Sequence, residues 1–144
     1  MNLSLDNLNT LKDVAWAIQA FQGEFKLIIV RCDDARLRFQ AVMPLRTRVK
    51  NMGLYVMPPE TTSLLEGIRD CMTAETTSVL VTLLEDAENL EELLSYTNRT
   101  RDQFRSACPF PVVLWLTSEG LKQLKRSAPD FESWGTTIHL EVDS

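Results

Sequence analysis

No stretch of this chain approaches the ~20 consecutive apolar residues that a membrane-crossing helix requires. The opening segment, Met1 to Asn9, alternates apolar with polar side chains and lacks the basic start and apolar run of a signal peptide. The three cysteines, Cys32, Cys71 and Cys108, are far apart and form no CxxC or Cys/His spacing. That pattern argues against a disulfide framework and a zinc site, and it fits a reducing cytoplasm. Fifteen Lys and Arg stand against 20 Asp and Glu, a net charge of −5, so no broad positive field exists to attract a nucleic acid. Glycine is scarce, with five in 144 residues, and none lies directly after the first strongly apolar run.

What remains is an ordinary globular composition, 44% apolar and 24% charged, in a chain of single-domain length. Apolar residues at three- and four-residue steps from Leu3 to Gln22 predict a first helix, with Asp6 placed to cap its start and Gly23 its end. Phe25–Arg31 is nearly continuous in large aliphatics, as in a strand covered on both faces. Asp33 and Asp34 suit the N-cap of a second helix carrying Leu37, Phe39, Val42 and Leu45, with Pro44 shortening or kinking it.

A short strand at Leu54–Met57 precedes a third helix with Leu64, Leu65, Ile68 and Met72 on its inner face. Ser78–Leu84 reads as a third strand, and Glu85 opens a long helix running through Leu90, Leu93, Leu94, Thr97 and Arg101 to Phe104. A fourth strand at Val112–Leu116 leads to a helix capped by Thr117 and Ser118, and a fifth strand lies near Thr137–Val142. Five alternations of strand and helix predict one α/β domain over residues 1–144, a three-layer αβα sandwich on a mostly parallel sheet.

In such a sheet ligands gather at the carboxyl ends of the strands. A nucleotide-binding protein needs glycines and a Lys after its first strand, so that backbone N–H groups and a cation reach the phosphates. Here Arg31-Cys-Asp-Asp-Ala-Arg36 stands in that place, with two carboxylates that repel a triphosphate. The third strand ends in Glu85 and Asp86, the form that in an ATPase holds Mg²⁺ and orients water. A buried strand followed by an acidic helix start explains the same residues. His139, the one histidine, reads as a strand residue on the face opposite Ile138 and Leu140. Cys32 has no base near it in sequence. The basic clusters at Arg31, Arg36, Arg38, Arg46, Arg48 and Lys50, and at Arg99, Arg101 and Arg105, read as solvated helix faces. Phe131 and Trp134, three residues apart on a polar segment, form a short apolar anchor that either seats the preceding helix or docks a partner.

Three segments together resemble the N-terminal domain of large bacterial, especially cyanobacterial, proteins that carry tetratricopeptide repeats. They are Phe25-Lys-Leu-Ile-Ile-Val-Arg-Cys-Asp-Asp-Ala-Arg-Leu-Arg38, Phe110-Pro-Val-Val-Leu-Trp-Leu-Thr117 and Ala128-Pro-Asp-Phe-Glu-Ser-Trp134. In that family they are similar to an apolar strand followed by Cys-Asn/Asp-Asp, to "FPIVLWVT" and to "APDFWSW", and this chain departs at Glu132, where many relatives have an aromatic. Such domains look like degenerate relatives of the signal-transduction ATPases with numerous domains. The resemblance implies a sheet order 5-1-4-3-2, a Walker B-like position for Glu85 and Asp86 and a sensor-like position for Thr117. It also implies that the chain is the N-terminal module of a larger protein.

The expectation is therefore a non-catalytic adaptor or sensor module, with no cofactor and no metal, whose partner is another protein or another domain of its own. Two alternatives remain from the sequence: a nucleotide binder or weak ATPase using Glu85 and Asp86, and a receiver-like signalling domain suggested by the acidic pair Asp33 and Asp34.

Overall fold

A computed structural model describes residues 3–141. In chain order it contains α1 (Leu5–Ala20), β1 (Lys26–Arg31), α2 (Ala35–Arg48), β2 (Met52–Val56), α3 (Leu64–Cys71), β3 (Ser78–Thr82), a 3₁₀ turn (Leu84–Asp86), α4 (Leu90–Arg99), α5 (Asp102–Ala107), β4 (Pro111–Leu116), α6 (Ser118–Ser127), α7 (Pro129–Ser133) and β5 (Gly135–His139). The five strands form one sheet in the order β2-β3-β4-β1-β5, parallel at every pairing. This is the order 5-1-4-3-2 that the resemblance implies, and it differs from the 2-1-3-4-5 order of receiver-like folds.

Alternation along the strands builds two cores. Leu27 and Ile29 of β1, Val79 and Val81 of β3 and Val112, Leu114 and Leu116 of β4 face a layer made by α3, α4, α6 and α7. Ile28, Val30, Leu80, Val113 and Trp115 face the opposite way, onto α1 and α2. The central strands β1, β3 and β4 have their inner residues fully covered, which explains their nearly unbroken aliphatic sequences.

The two layers are unequal. A helix with its side chains is about 10 Å across and spans about two strands at ~4.8 Å spacing. Two helices therefore cover about four of the five strands. α1 packs on β1, β5 and α2, so the β2 end of that face lies beyond α2.

Several elements differ from their expected limits. Ser4, and not Asp6, caps α1, accepting from the Asn7 amide at 3.1 Å. Gly23 lies outside the helix with φ +90, in the turn that leads to β1. α2 continues through Pro44 to Arg48. Its buried residues are Leu37, Ala41 and Leu45, while Phe39 is 82% exposed. The single long helix expected from Glu85 to Phe104 is three pieces. Leu83 adopts a left-handed conformation, φ 67, that turns the chain out of β3, and Ala87 is extended. The Glu88 amide then donates to the carbonyl of Pro59 at 2.8 Å, so α4 begins only at Leu90. A second break at Thr100 and Arg101 separates α5 and turns Phe104 into the core. β5 ends at His139, three residues before its expected limit; Val142 and the rest of the 142–144 tail lie outside the described residues, as do Met1 and Asn2. No described helix is long and apolar enough to cross a membrane.

Candidate functional site

Register places the ends of β1, β4, β5 and β3 side by side at the carboxyl edge, where a doubly covered parallel sheet binds ligands. Arg31, the last residue of β1, is paired with Leu116 and His139. Its guanidinium donates from Nη1 to Asp33 Oδ2 at 2.8 Å and to Ser118 Oγ at 2.9 Å, from Nη2 to Glu141 Oε1 at 2.5 Å, and from Nε to His139 Nδ1 at 2.6 Å. One side chain thus ties the loops after β1, β4 and β5 together. His139 accepts at Nδ1 and is exposed, so it is oriented by Arg31 rather than poised over a cavity.

The helix that follows β4 is the second component. Thr117 is its N-cap, and its Oγ1 accepts from the Gly120 amide at 3.0 Å. The first N–H groups of a helix have no intrahelical acceptor and carry the positive end of the macrodipole, so they attract anions. Here the chain supplies the anions itself. Glu85 Oε2 accepts from the Thr117 amide at 2.8 Å and from its hydroxyl at 3.3 Å. Asp33 Oδ1 accepts from the Ser118 amide at 2.6 Å, and Oδ2 accepts from the Ser118 hydroxyl at 2.6 Å. A Cβ on Gly120 would come within 2.8 Å of Glu85 Oε2, so the bare backbone there is what admits the carboxylate. The hydrogen bonds from Ser118, backbone first, hold the Asp33 carboxyl below its ordinary range, with the Arg31 charge adding to them.

The start of α2 is sealed in the same manner. Asp34 Oδ1 accepts from the Leu37 amide at 2.7 Å. Arg38, one turn on, reaches across to Glu85, with Nη1 3.6 Å from Oε1 and both side chains largely covered. Glu85 is therefore held from two sides, by α6 through Thr117 and by α2 through Arg38.

The structure brings Glu85 and Thr117 into direct contact, which sequence spacing alone did not reveal. Asp86 is exposed on the 3₁₀ turn and takes no part in that contact. Cys32 is buried, its thiol donates to the Asp34 carbonyl at 3.5 Å, and burial pushes its pKa up, so it stands as a protonated thiol. Among the described residues no cluster of three or more His, Cys, Asp or Glu side chains is arranged to hold a metal ion.

Phe131 lies at the other end of the sheet's α3/α4/α6/α7 face. It is fully buried, with its ring 4.9 Å from Phe104 and 6.4 Å from Phe25. Trp134 is half-buried against Phe25 and Phe131, and the Arg105 guanidinium stacks 4.0 Å above its ring. Of the two anchor residues, Phe131 is therefore inside the molecule and only Trp134 has surface to offer. The segment is fixed by a residue that sequence reasoning missed. Asn98 Oδ1 accepts from the amides of Asp130 and Phe131 at 3.0 and 2.9 Å, capping α7 from the end of α4. Asn98 is one of several polar residues on α4, and nothing in sequence tied it to residue 130.

No protein-family model matches this chain, and no curated protein matches its sequence.

Proposed function

We propose that this domain is a non-catalytic interaction module, an adaptor or sensor built on an α/β sandwich whose ligand edge is closed. The observation that carries the reading is the occupation of two helix N-termini at the carboxyl edge, those that follow β1 and β4, by the chain's own carboxylates, Asp34 on α2 and Asp33 with Glu85 on α6. A phosphate approaching either helix start would meet a negative charge already hydrogen-bonded to the amides it needs. Electrostatic repulsion and the loss of those hydrogen bonds both oppose binding.

The same geometry weighs against a weak ATPase. Glu85 would have to leave Thr117 and Arg38 before it could orient water or a Mg²⁺ ion. The chain's partner on this reading is another protein or a further domain of the same protein, as the likeness to repeat-carrying bacterial proteins implies.

A thermal-shift titration with ATP, ADP and GTP, with and without Mg²⁺, tests the reading, because a ligand that binds the folded state alone raises the melting temperature. The expected result is a flat response up to millimolar nucleotide. A saturable rise in Tm that is abolished by Glu85→Ala would transfer the domain to the nucleotide-binding class.

A further inference from the structure

α2 has two apolar stripes. Leu37, Ala41 and Leu45 are buried on the sheet. Phe39, Val42 and Met43 lie roughly 150° round the helix at 100° per residue, and Phe39 and Met43 are 82% and 65% exposed. This second stripe forms one wall of a groove of about 500 Å³ whose floor is β3 and whose far wall is β2, including Val56, itself 51% exposed. It is the strip of sheet that two helices are too few to cover.

The charge around the groove has one sign. Between Ala35 and Arg48, α2 carries Arg36, Arg38, Arg46 and Arg48 and no Asp or Glu, in a chain whose net charge is −5. Arg38 and Arg46 are among the residues that line the groove, and none of the lining residues is acidic; Arg38 is already paired with Glu85, so Arg46 carries the lining charge left for a partner. The groove lies on the face of the sheet beside α2, in the layer where the neighbouring elements are the helices α1 and α2.

The geometry points to this groove as the seat of an amphipathic helix from a partner protein, with an apolar stripe that packs on Phe39, Met43 and Val56 and acidic flanks that face Arg46 and its neighbours. The inference rests on the interaction-module reading and names its partner's chemistry. Apolar contact supplies the attraction, and the arginines set orientation and select against basic helices.

Two synthetic peptides of about 18 residues, five helical turns, test it on the full chain. Both carry the same leucine stripe, one with glutamate and the other with lysine on the remaining face. Amide correlation spectra should show the glutamate peptide shifting signals from α2, β2 and β3, with affinity at least on the order of tenfold above the lysine peptide. Phe39→Ser, at an exposed position, should weaken the glutamate peptide by a similar factor while the unbound spectrum stays folded. Arg46→Glu should narrow the preference between the peptides.

Equal binding of both peptides, or shifts that avoid the groove, would overturn the inference. So would sedimentation showing that the chain alone dimerises through Phe39, because the occupant would then be a second copy. The nucleotide titration is independent of these outcomes. A Tm rise with ATP defeats the interaction-module reading itself, whereas a flat Tm with a silent groove defeats only the helix partner.

Discussion

At Asp33 one carboxylate closes two gaps, since it takes the amide and hydroxyl of Ser118 and also the charge of Arg31. Its pKa is lowered in the folded chain. A group whose folded pKa is depressed contributes stability that is present above its unfolded value, about 3.9, and is lost as pH falls through the folded value. Asp33→Asn should therefore lower the urea midpoint at pH 7, and the difference from the native chain should shrink as the pH falls through the folded value. Because the Asp33 side chain is half exposed, solvent screening keeps the difference small. A gap that persists unchanged at low pH would show that the residue acts through shape and not charge. In sequence, Asp33 and Asp34 are a plain acidic pair at a helix start. Asp34 is legible as the cap of α2, but the reach of Asp33 to Ser118 spans 85 positions and depends on β1 lying beside β4.

Among the elements, strands were easier to read than helices. β1, β3 and β4 announce themselves because burial on both faces demands uninterrupted aliphatic residues, and each lies within a residue or two of its expected span. The helix expected from Glu85 onward failed because periodicity registers apolar spacing and not the backbone partners that interrupt it, here Pro59 and the left-handed Leu83. α2 is legible as a helix from its Asp34 cap, but its apolar residues divide between a buried and an exposed stripe, which apolar spacing alone does not separate.

That division sets contrasting costs. Phe131 is fully buried in the Phe25, Phe104 and Trp134 cluster, so Phe131→Ala should destabilise the chain by about 3–5 kcal/mol. Phe39→Ser, on the open stripe, should change stability by less than about 0.5 kcal/mol. Denaturant unfolding of the two variants checks both. A large loss at Phe39 would mean that the stripe packs internally and that no groove is open for a partner.

For the whole molecule, sheet order fixes what the carboxyl edge can do. Neighbouring β1 and β4 bring Asp33 to the start of α6, and β3 beside β4 brings Glu85 to the same place. Both the missing glycine loop and the acidic residues that replace it are visible in the sequence. Their combined consequence, a helix terminus neutralised from two loops, needs the tertiary arrangement. The open side of the molecule is elsewhere, on the face that α1 and α2 leave incompletely covered.

The closed edge is tested most directly by amide correlation spectra of the labelled chain titrated with ATP and Mg²⁺ to millimolar concentration. The account predicts that the amides of Leu37, Thr117, Ser118 and Gly120 keep their positions, because each is already bonded to a side chain of the protein. A saturable shift confined to those amides would contradict it, placing the nucleotide's phosphates where Asp33, Asp34 and Glu85 now sit.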